Sequence, residues 1–88
     1  MTHSIQVQVE LFGALRRFSD SGQVVLNLLG NRSHTTTVAA IRTEISKKIS
    51  QNELLRSSVF ADERRVLHES DLIENGAKLA LLPPVCGG

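Results

Sequence analysis

Ile5-Gln6-Val7-Gln8-Val9-Glu10-Leu11-Phe12 alternates along its length, with Ile5, Val7, Val9 and Leu11 on one face and Gln6, Gln8, Glu10 and Phe12 on the other. Successive side chains of an extended chain point to opposite sides, so a period of two marks a strand with one face buried. Gly13 to Phe18 follows as a short helical turn, closed by the polar stretch Ser19-Asp20-Ser21-Gly22. Gln23 to Leu29 is rich in β-formers again, with Val24, Leu26 and Leu28 opposed to Val25 and Leu29. Two such runs around a Gly/Ser/Asp break read as a hairpin-like pair of strands.

Beyond the loop Gly30-Asn31-Arg32-Ser33-His34 the period changes. Val38, Ile41, Ile45 and Ile49 recur at spacings of three and four, the stripe of an amphipathic helix. Thr36 or Thr37 is its N-cap, and it is expected to run to about Ser50, with Lys47 and Lys48 near the negative end of its dipole. Ser58 to Ala61 reads as a third strand, followed by the charged turn Asp62-Glu63-Arg64-Arg65 and the apolar pair Val66-Leu67. Glu74-Asn75-Gly76 signals a turn, and Lys78 to Leu82 is the last strand, with Leu79 and Leu81 inward and Leu82 outward. Strand, strand, helix, strand, strand is an α+β two-layer domain. There is no repeat, low-complexity segment or internal linker.

Bulk composition narrows the function classes. Apolar residues make up 41% and charged residues 22% of the 88-residue chain, as in an ordinary globular domain. Its only aromatics are Phe12, Phe18 and Phe60, so the core is mostly aliphatic. A net charge of +1 and the lack of stacking aromatics argue against nucleic-acid binding. No apolar run has the length of a membrane span, and one cysteine cannot form an internal disulfide, which points to a reducing cytoplasm.

The end of the sequence is the most specific feature. Leu79-Ala80-Leu81-Leu82 leads into Pro83-Pro84-Val85-Cys86-Gly87-Gly88. Proline has no backbone N–H and disfavours helix at the residue before it, so residues 1–82 are expected to form the folded body and 83–88 an extended, flexible tail. Extended, that tail reaches about 20 Å. Its tip has no side chains, so it can enter a channel too narrow for other residue pairs. It is expected to present the α-carboxylate of Gly88.

Val9-Glu10-Leu11-Phe12-Gly13-Ala14-Leu15-Arg16, the helix opening Thr37-Val38, and Asn75-Gly76 before an apolar strand into Pro-Pro-Val-Cys-Gly-Gly together resemble the small subunit of molybdopterin synthase. More broadly they are similar to the ubiquitin-like β-grasp sulfur carriers, which include the thiamine-pathway carrier. The resemblance implies a mixed sheet of four to five strands packed on one main helix, with the first and last strands side by side at the sheet centre. It also implies the chemistry. A ubiquitin-activating-type adenylyltransferase uses ATP to convert the Gly88 carboxylate to an acyl-adenylate, and a persulfide protein then displaces AMP to leave a thiocarboxylate. The loaded tail inserts into the molybdopterin synthase large subunit and donates its sulfur to a precursor pterin. The chain itself is then a non-catalytic subunit with no bound cofactor. Gly88 is the carried group, Gly87 gives clearance, and Pro83 and Pro84 restrict the free tail and lower the ordering cost of insertion. Two departures from the family pattern are Ala77-Lys78, where an acidic pair is common, and a longer Gly30–Thr36 loop. Two other outcomes use the same adenylate: delivery of sulfur to thiamine, cysteine, a siderophore or another thio-metabolite, and conjugation of Gly88 to a lysine as a protein modifier.

Docking requires a surface as well as a tail. Phe12 and Leu82 face outward by alternation and the resemblance places Val66 near them, so Phe12, Val66 and Leu82 are expected to form a small exposed apolar patch for the partner enzymes, continued by Pro83, Pro84, Val85 and Cys86. The plain alternative is that Phe12 only closes the end of the sheet. Cys86 lies two residues from the carboxylate and could hold a persulfide or a disulfide with the activating enzyme, but its position is one where the resemblance implies that several small residues are tolerated. His3, His34 and His68 are scattered without the spacing of metal ligands, so no metal site is expected. Arg16-Arg17, Lys47-Lys48 and Arg64-Arg65 read as solvated charges, some of which could steer docking.

Overall fold

The structure, a computed structural model, describes residues 3–49 and 52–84. Strand β1 (Ser4–Leu11) buries Ile5, Val7, Val9 and Leu11, as its alternation requires. A short 3-10 helix (Gly13–Phe18) buries Leu15, and β2 (Gln23–Leu29) returns antiparallel to β1 with Val9 opposite Val24 and Val7 opposite Leu26. Then follow β3 (Thr35–Thr37), α1 (Val38–Ser46), α2 (Asn52–Ser57), β4 (Val59–Ala61), β5 (Leu72–Glu74) and β6 (Lys78–Leu82). Strands β2-β1-β6-β4 form a mixed four-stranded sheet, in which β1 and β6 are parallel and the other neighbours antiparallel. A separate antiparallel pair, β3 and β5, sits at the start of α1.

The first and last strands are therefore neighbours, with Val9 beside Leu79 and Leu11 beside Leu81. Helix α1 covers one face of the sheet. Val38, Ile41, Ile45 and Ile49 are all buried against Val7, Val9, Leu26, Phe60, Leu79 and Leu81 in one continuous core. Each such aliphatic side chain stabilises by about 1.5–3 kcal/mol relative to an exposed one. Thr37 is the N-cap, its hydroxyl accepting the Ala40 N–H at 3.2 Å.

Several elements differ from the sequence reading. Helix α1 ends at Ser46 rather than near Ser50, which lies outside the described residues. The Lys47 and Lys48 N–H groups bond back to Glu44 and Ile45, tightening the chain into a turn, yet Ile49 still reaches the core. Apolar spacing reports which side chains are buried, and it continues across a turn that keeps the same phase. Helix α2 and strands β3 and β5 were not anticipated. Each is short, and β3 and β5 hold each other through Thr36 opposite Ile73, a long-range pairing with no local signal.

Arg42 ties these short elements together. From α1 its guanidinium donates to both Glu69 carboxylate oxygens at 3.0 and 2.7 Å, and to the carbonyls of Leu55 and Ser58 at 2.7 and 2.9 Å. It also lies 5.1 Å from the centroid of the Phe60 ring. One planar fork thus holds the α2–β4 junction and the loop before β5 onto α1.

Candidate functional site

The sheet face opposite α1 carries the residues of interest. On β1 this face presents Ser4, Gln6, Gln8 and Glu10; on β6 it presents Lys78, Ala80 and Leu82. The Phe12 N–H donates to the Leu81 carbonyl at 3.2 Å, as the Gln8 N–H does to Ala77, so the parallel register continues past Leu11 and sets Phe12 beside Leu82. Leu82 is in turn opposite Val59 of β4. The next row runs from Glu10 through Ala80 and Ala61 to Val66, which makes an isolated antiparallel bridge to Ala61.

Phe12, Leu82 and Val66 thus lie on one sheet face, in adjacent rows. Phe12 is 37% exposed, Val66 is 53% exposed, and Leu82 is half-buried. Val59, 40% exposed, extends the row and was missed from sequence. The signal was present: with Phe60 inward, period two puts Val59 outward. Toward β2 the face is mixed, with Gln8 donating to Gln23 and Gln6 to Asn27, interleaved with the exposed apolar Val25 and Leu29. A shallow depression of about 250 Å³ adjoins the apolar rows, lined among others by Glu10, Ala61, Asp62, Glu63, Lys78 and Ala80.

Two carboxylates shape the loop that presents Val66. Asp62 accepts the N–H groups of Arg64 and Arg65 at 2.8 and 2.9 Å, which hold its carboxyl below the usual range. Asp71 accepts the His68 N–H at 2.7 Å and a bond from Arg65 at 3.2 Å; the backbone bond is the larger cause of its lowered pKa. Both are turn-capping carboxylates, built to accept rather than to exchange protons.

The tail begins against Gly13. This residue has φ +58°, and a Cβ built on it would lie 2.8 Å from Cγ of Pro83. Glycine is needed here twice, for the left-handed backbone and for the close approach of the ring. Pro83 is half-buried, while Pro84 is exposed. The exit direction after β6 is therefore set by a packed Pro83 lying one residue past Leu82. Gly13→Ala is expected to cost about 1–3 kcal/mol from the αL strain and the forced shift of Pro83. Thermal unfolding checks the loss, and displaced Pro83 ring resonances in NMR check the shift. Val85, Cys86, Gly87 and Gly88 lie outside the described residues.

Contrary to the sequence reading, two of the scattered histidines meet. The rings of His3 and His34 are 5.2 Å apart and perpendicular, brought together as the Gly30 N–H bonds to the His3 carbonyl. Among the described residues no group of three or more His, Cys, Asp or Glu is placed to hold a metal. Of the basic pairs, Lys47 bonds Glu44 and Arg65 bonds Asp71, while Arg17 donates to the Ala14 carbonyl. Among the described residues no helix is long and apolar enough to cross a membrane.

No protein-family model matches the sequence, and no curated protein matches it. Solved structures do match in shape. SAMP1 from Haloferax volcanii superposes with a TM-score of 0.72 at 17% identity, covering 94% of this chain and 99% of that one. The Haloferax volcanii HVO 2177 protein gives 0.75 at 12% identity over 98% and 89%. Caldiarchaeum subterraneum ubiquitin gives 0.54 at 17% identity over 97% and 99%. The chain has the ubiquitin-like β-grasp fold. In this β-grasp the apolar rows sit on the open side of the sheet, and the sequence Pro83-Pro84-Val85-Cys86-Gly87-Gly88 continues directly from their edge.

Proposed function

We propose that this β-grasp protein is a sulfur carrier whose Gly88 carboxylate is adenylated and converted to a thiocarboxylate, acting as the small subunit of a molybdopterin synthase. The observation that carries the reading is the continuity of the Phe12–Leu82–Val59 row with the Gly13–Pro83 contact, so that docking surface and tail root form one site. A partner gripping that face holds the root of a segment that carries Gly87 and Gly88, two residues without side chains. Binding energy from the body is then available to order the tail.

The chemistry supports the residue roles. Hydroxide is a poor leaving group, so a carboxylate is converted to a thioacid only after activation. Attack of the Gly88 carboxylate on ATP expels pyrophosphate and gives the acyl-adenylate. A persulfide sulfur then displaces AMP, and cleavage of the sulfur–sulfur bond by a thiol leaves the thiocarboxylate. The partners are the adenylyltransferase, a persulfide donor and the large subunit that accepts the sulfur. Gly87 and Gly88 offer access; Cys86 is not required by this sequence of steps. Delivery to another thio-metabolite pathway uses the same species. A modifier role is the second reading, favoured by the shape likeness to a protein named ubiquitin.

Mass spectrometry of the chain ending at Gly88, after incubation with ATP, a sulfur donor and its adenylyltransferase, tests the proposal. A gain equal to one sulfur replacing one oxygen is expected; lysine-linked adducts of high mass indicate the modifier instead, and neither species overturns both. Gly88→Ala puts a methyl group beside the reacting carbon. It is expected to slow adenylation by about 100-fold, the size associated with displacing a reacting atom by about 1 Å. Pyrophosphate release measures it.

A further inference from the structure

Strand β2 forms one edge of the four-stranded sheet, and its sequence, Gln-Val-Val-Leu-Asn-Leu-Leu, has no charge and no proline. Sheet edges in natural proteins are usually guarded by charged side chains, prolines or bulges, because unpaired backbone groups invite another strand. The flanking bonds establish the phase of the ladder. Leu11 donates to the Gly22 carbonyl at 2.8 Å and Gly30 to the His3 carbonyl at 2.6 Å, so Val24, Leu26 and Leu28 direct their backbone groups toward β1. Val25, Asn27 and Leu29 direct theirs outward. At the near end Gln23 is capped, its carbonyl accepting the Ser19 hydroxyl at 2.6 Å and its N–H donating to Ser21. The backbone groups of Val25, Asn27 and Leu29 have no hydrogen-bond partner among the described residues. The side chains beside them are apolar and open: Val25 is 48% and Leu29 69% exposed. A shallow depression between the edge and α1 is lined by Leu28, Leu29, Ala40, Thr43 and Glu44.

We propose that β2 pairs antiparallel with β2 of a second copy of this chain, making one sheet continuous across a two-fold axis at Asn27. The register follows from which groups are free. Centred on Asn27, it sets Asn27 opposite its symmetry mate and Val25 opposite Leu29 of the second copy, all as hydrogen-bonded pairs. Every outward N–H and C=O of Val25, Asn27 and Leu29 then has a partner. The two most exposed apolar side chains of the edge cover each other across the join, and an uncharged strand meets its own copy without like-charge repulsion. The row Phe12, Leu82 and Val59 lies just past the end of β1 and on β6 and β4, on the inner side of β2, so pairing through the outer side of β2 leaves the root of the tail accessible.

Sedimentation equilibrium of the full chain across about 10 µM to about 1 mM, a range that covers weak association, reads the stoichiometry. A monomer–dimer equilibrium is expected, together with amide exchange at Val25, Asn27 and Leu29 that slows as concentration rises. Val25→Lys and Asn27→Pro, neither of which removes a backbone hydrogen bond to β1, although the second also gives up the Gln6–Asn27 side-chain bond, are expected to shift dimerisation to at least about 10-fold higher concentration. Leu72→Lys, an exposed apolar position on β5, leaves it unchanged. A chain that stays monomeric throughout, or a dimer insensitive to both edge variants with those amides still exchanging freely, overturns the proposal.

Discussion

Arg42→Ala lowers the unfolding free energy by about 2–4 kcal/mol, the sum of two charge-assisted bonds to partly buried carbonyls and the contact with Phe60. For a domain of this size that corresponds to a fall in melting temperature of roughly 10–20 °C, read by calorimetry. The ion pair with Glu69 adds little, less than about 1 kcal/mol, because the Glu69 side chain is half exposed. Arg42→Lys recovers only part of the loss, since one ammonium cannot serve a carboxylate and two carbonyls in a planar fork. The pair leaves a signature in pH. The bond from Arg42 holds the Glu69 carboxyl below its ordinary 4.5, so its stabilisation is complete above that value and is lost as the pH falls through the folded value. Wild type and Arg42→Ala therefore differ less in acid than at neutral pH. An unchanged gap on acidification assigns the whole effect to the carbonyls and Phe60.

If the proposed function holds, Phe12→Asp and Val59→Asp, made separately, are each expected to weaken binding to the proposed adenylyltransferase partner by about 2 kcal/mol, or roughly 30-fold, while leaving the fold intact. Both side chains lie on the open face, so a charge there meets water in the free protein and is desolvated only in the complex. Calorimetric titration measures the affinity and far-UV circular dichroism the fold. Val59 is the sharper case, because it is far from Phe12 in sequence and joins it only through Leu82. Normal binding by a folded Phe12→Asp removes the patch and leaves Phe12 as the closure of the sheet end. Normal binding by Val59→Asp alone confines the patch to the β1–β6 side.

Several features of this molecule were legible in order along the chain. Ile5 to Leu11 alternates because β1 is half-buried, and it is buried on the expected side. Thr37 caps the helix, Val38, Ile41, Ile45 and Ile49 all reach the core, and Lys78 to Leu82 is a strand over that span. These rest on local periodicity and on side chains that answer neighbouring backbone groups, which any chain carries in its own order of residues. The small elements were not legible. Helix α2 and strands β3 and β5 are too short to show a period, and they persist because Arg42 and the Thr36–Ile73 pairing hold them from a distance.

The same division applies to the site. Phe12 and Leu82 could be named from alternation as outward-facing apolar residues, while Val66 was placed beside them by family resemblance, and the reading of Pro-Pro-Val-Cys-Gly-Gly as a delivery arm falls mostly outside the described residues. That β1 and β6 run parallel and adjacent came from family resemblance, because strand order depends on contacts between residues some seventy positions apart. Only the folded chain adds Val59 to the row, sets Pro83 on the bare α-carbon of Gly13, joins His3 to His34, and leaves β2 as an unguarded edge. Sequence determines which face of each element is apolar, since that is a property of spacing. Which faces share a surface is decided by register and crossover, and those are settled when the whole core closes.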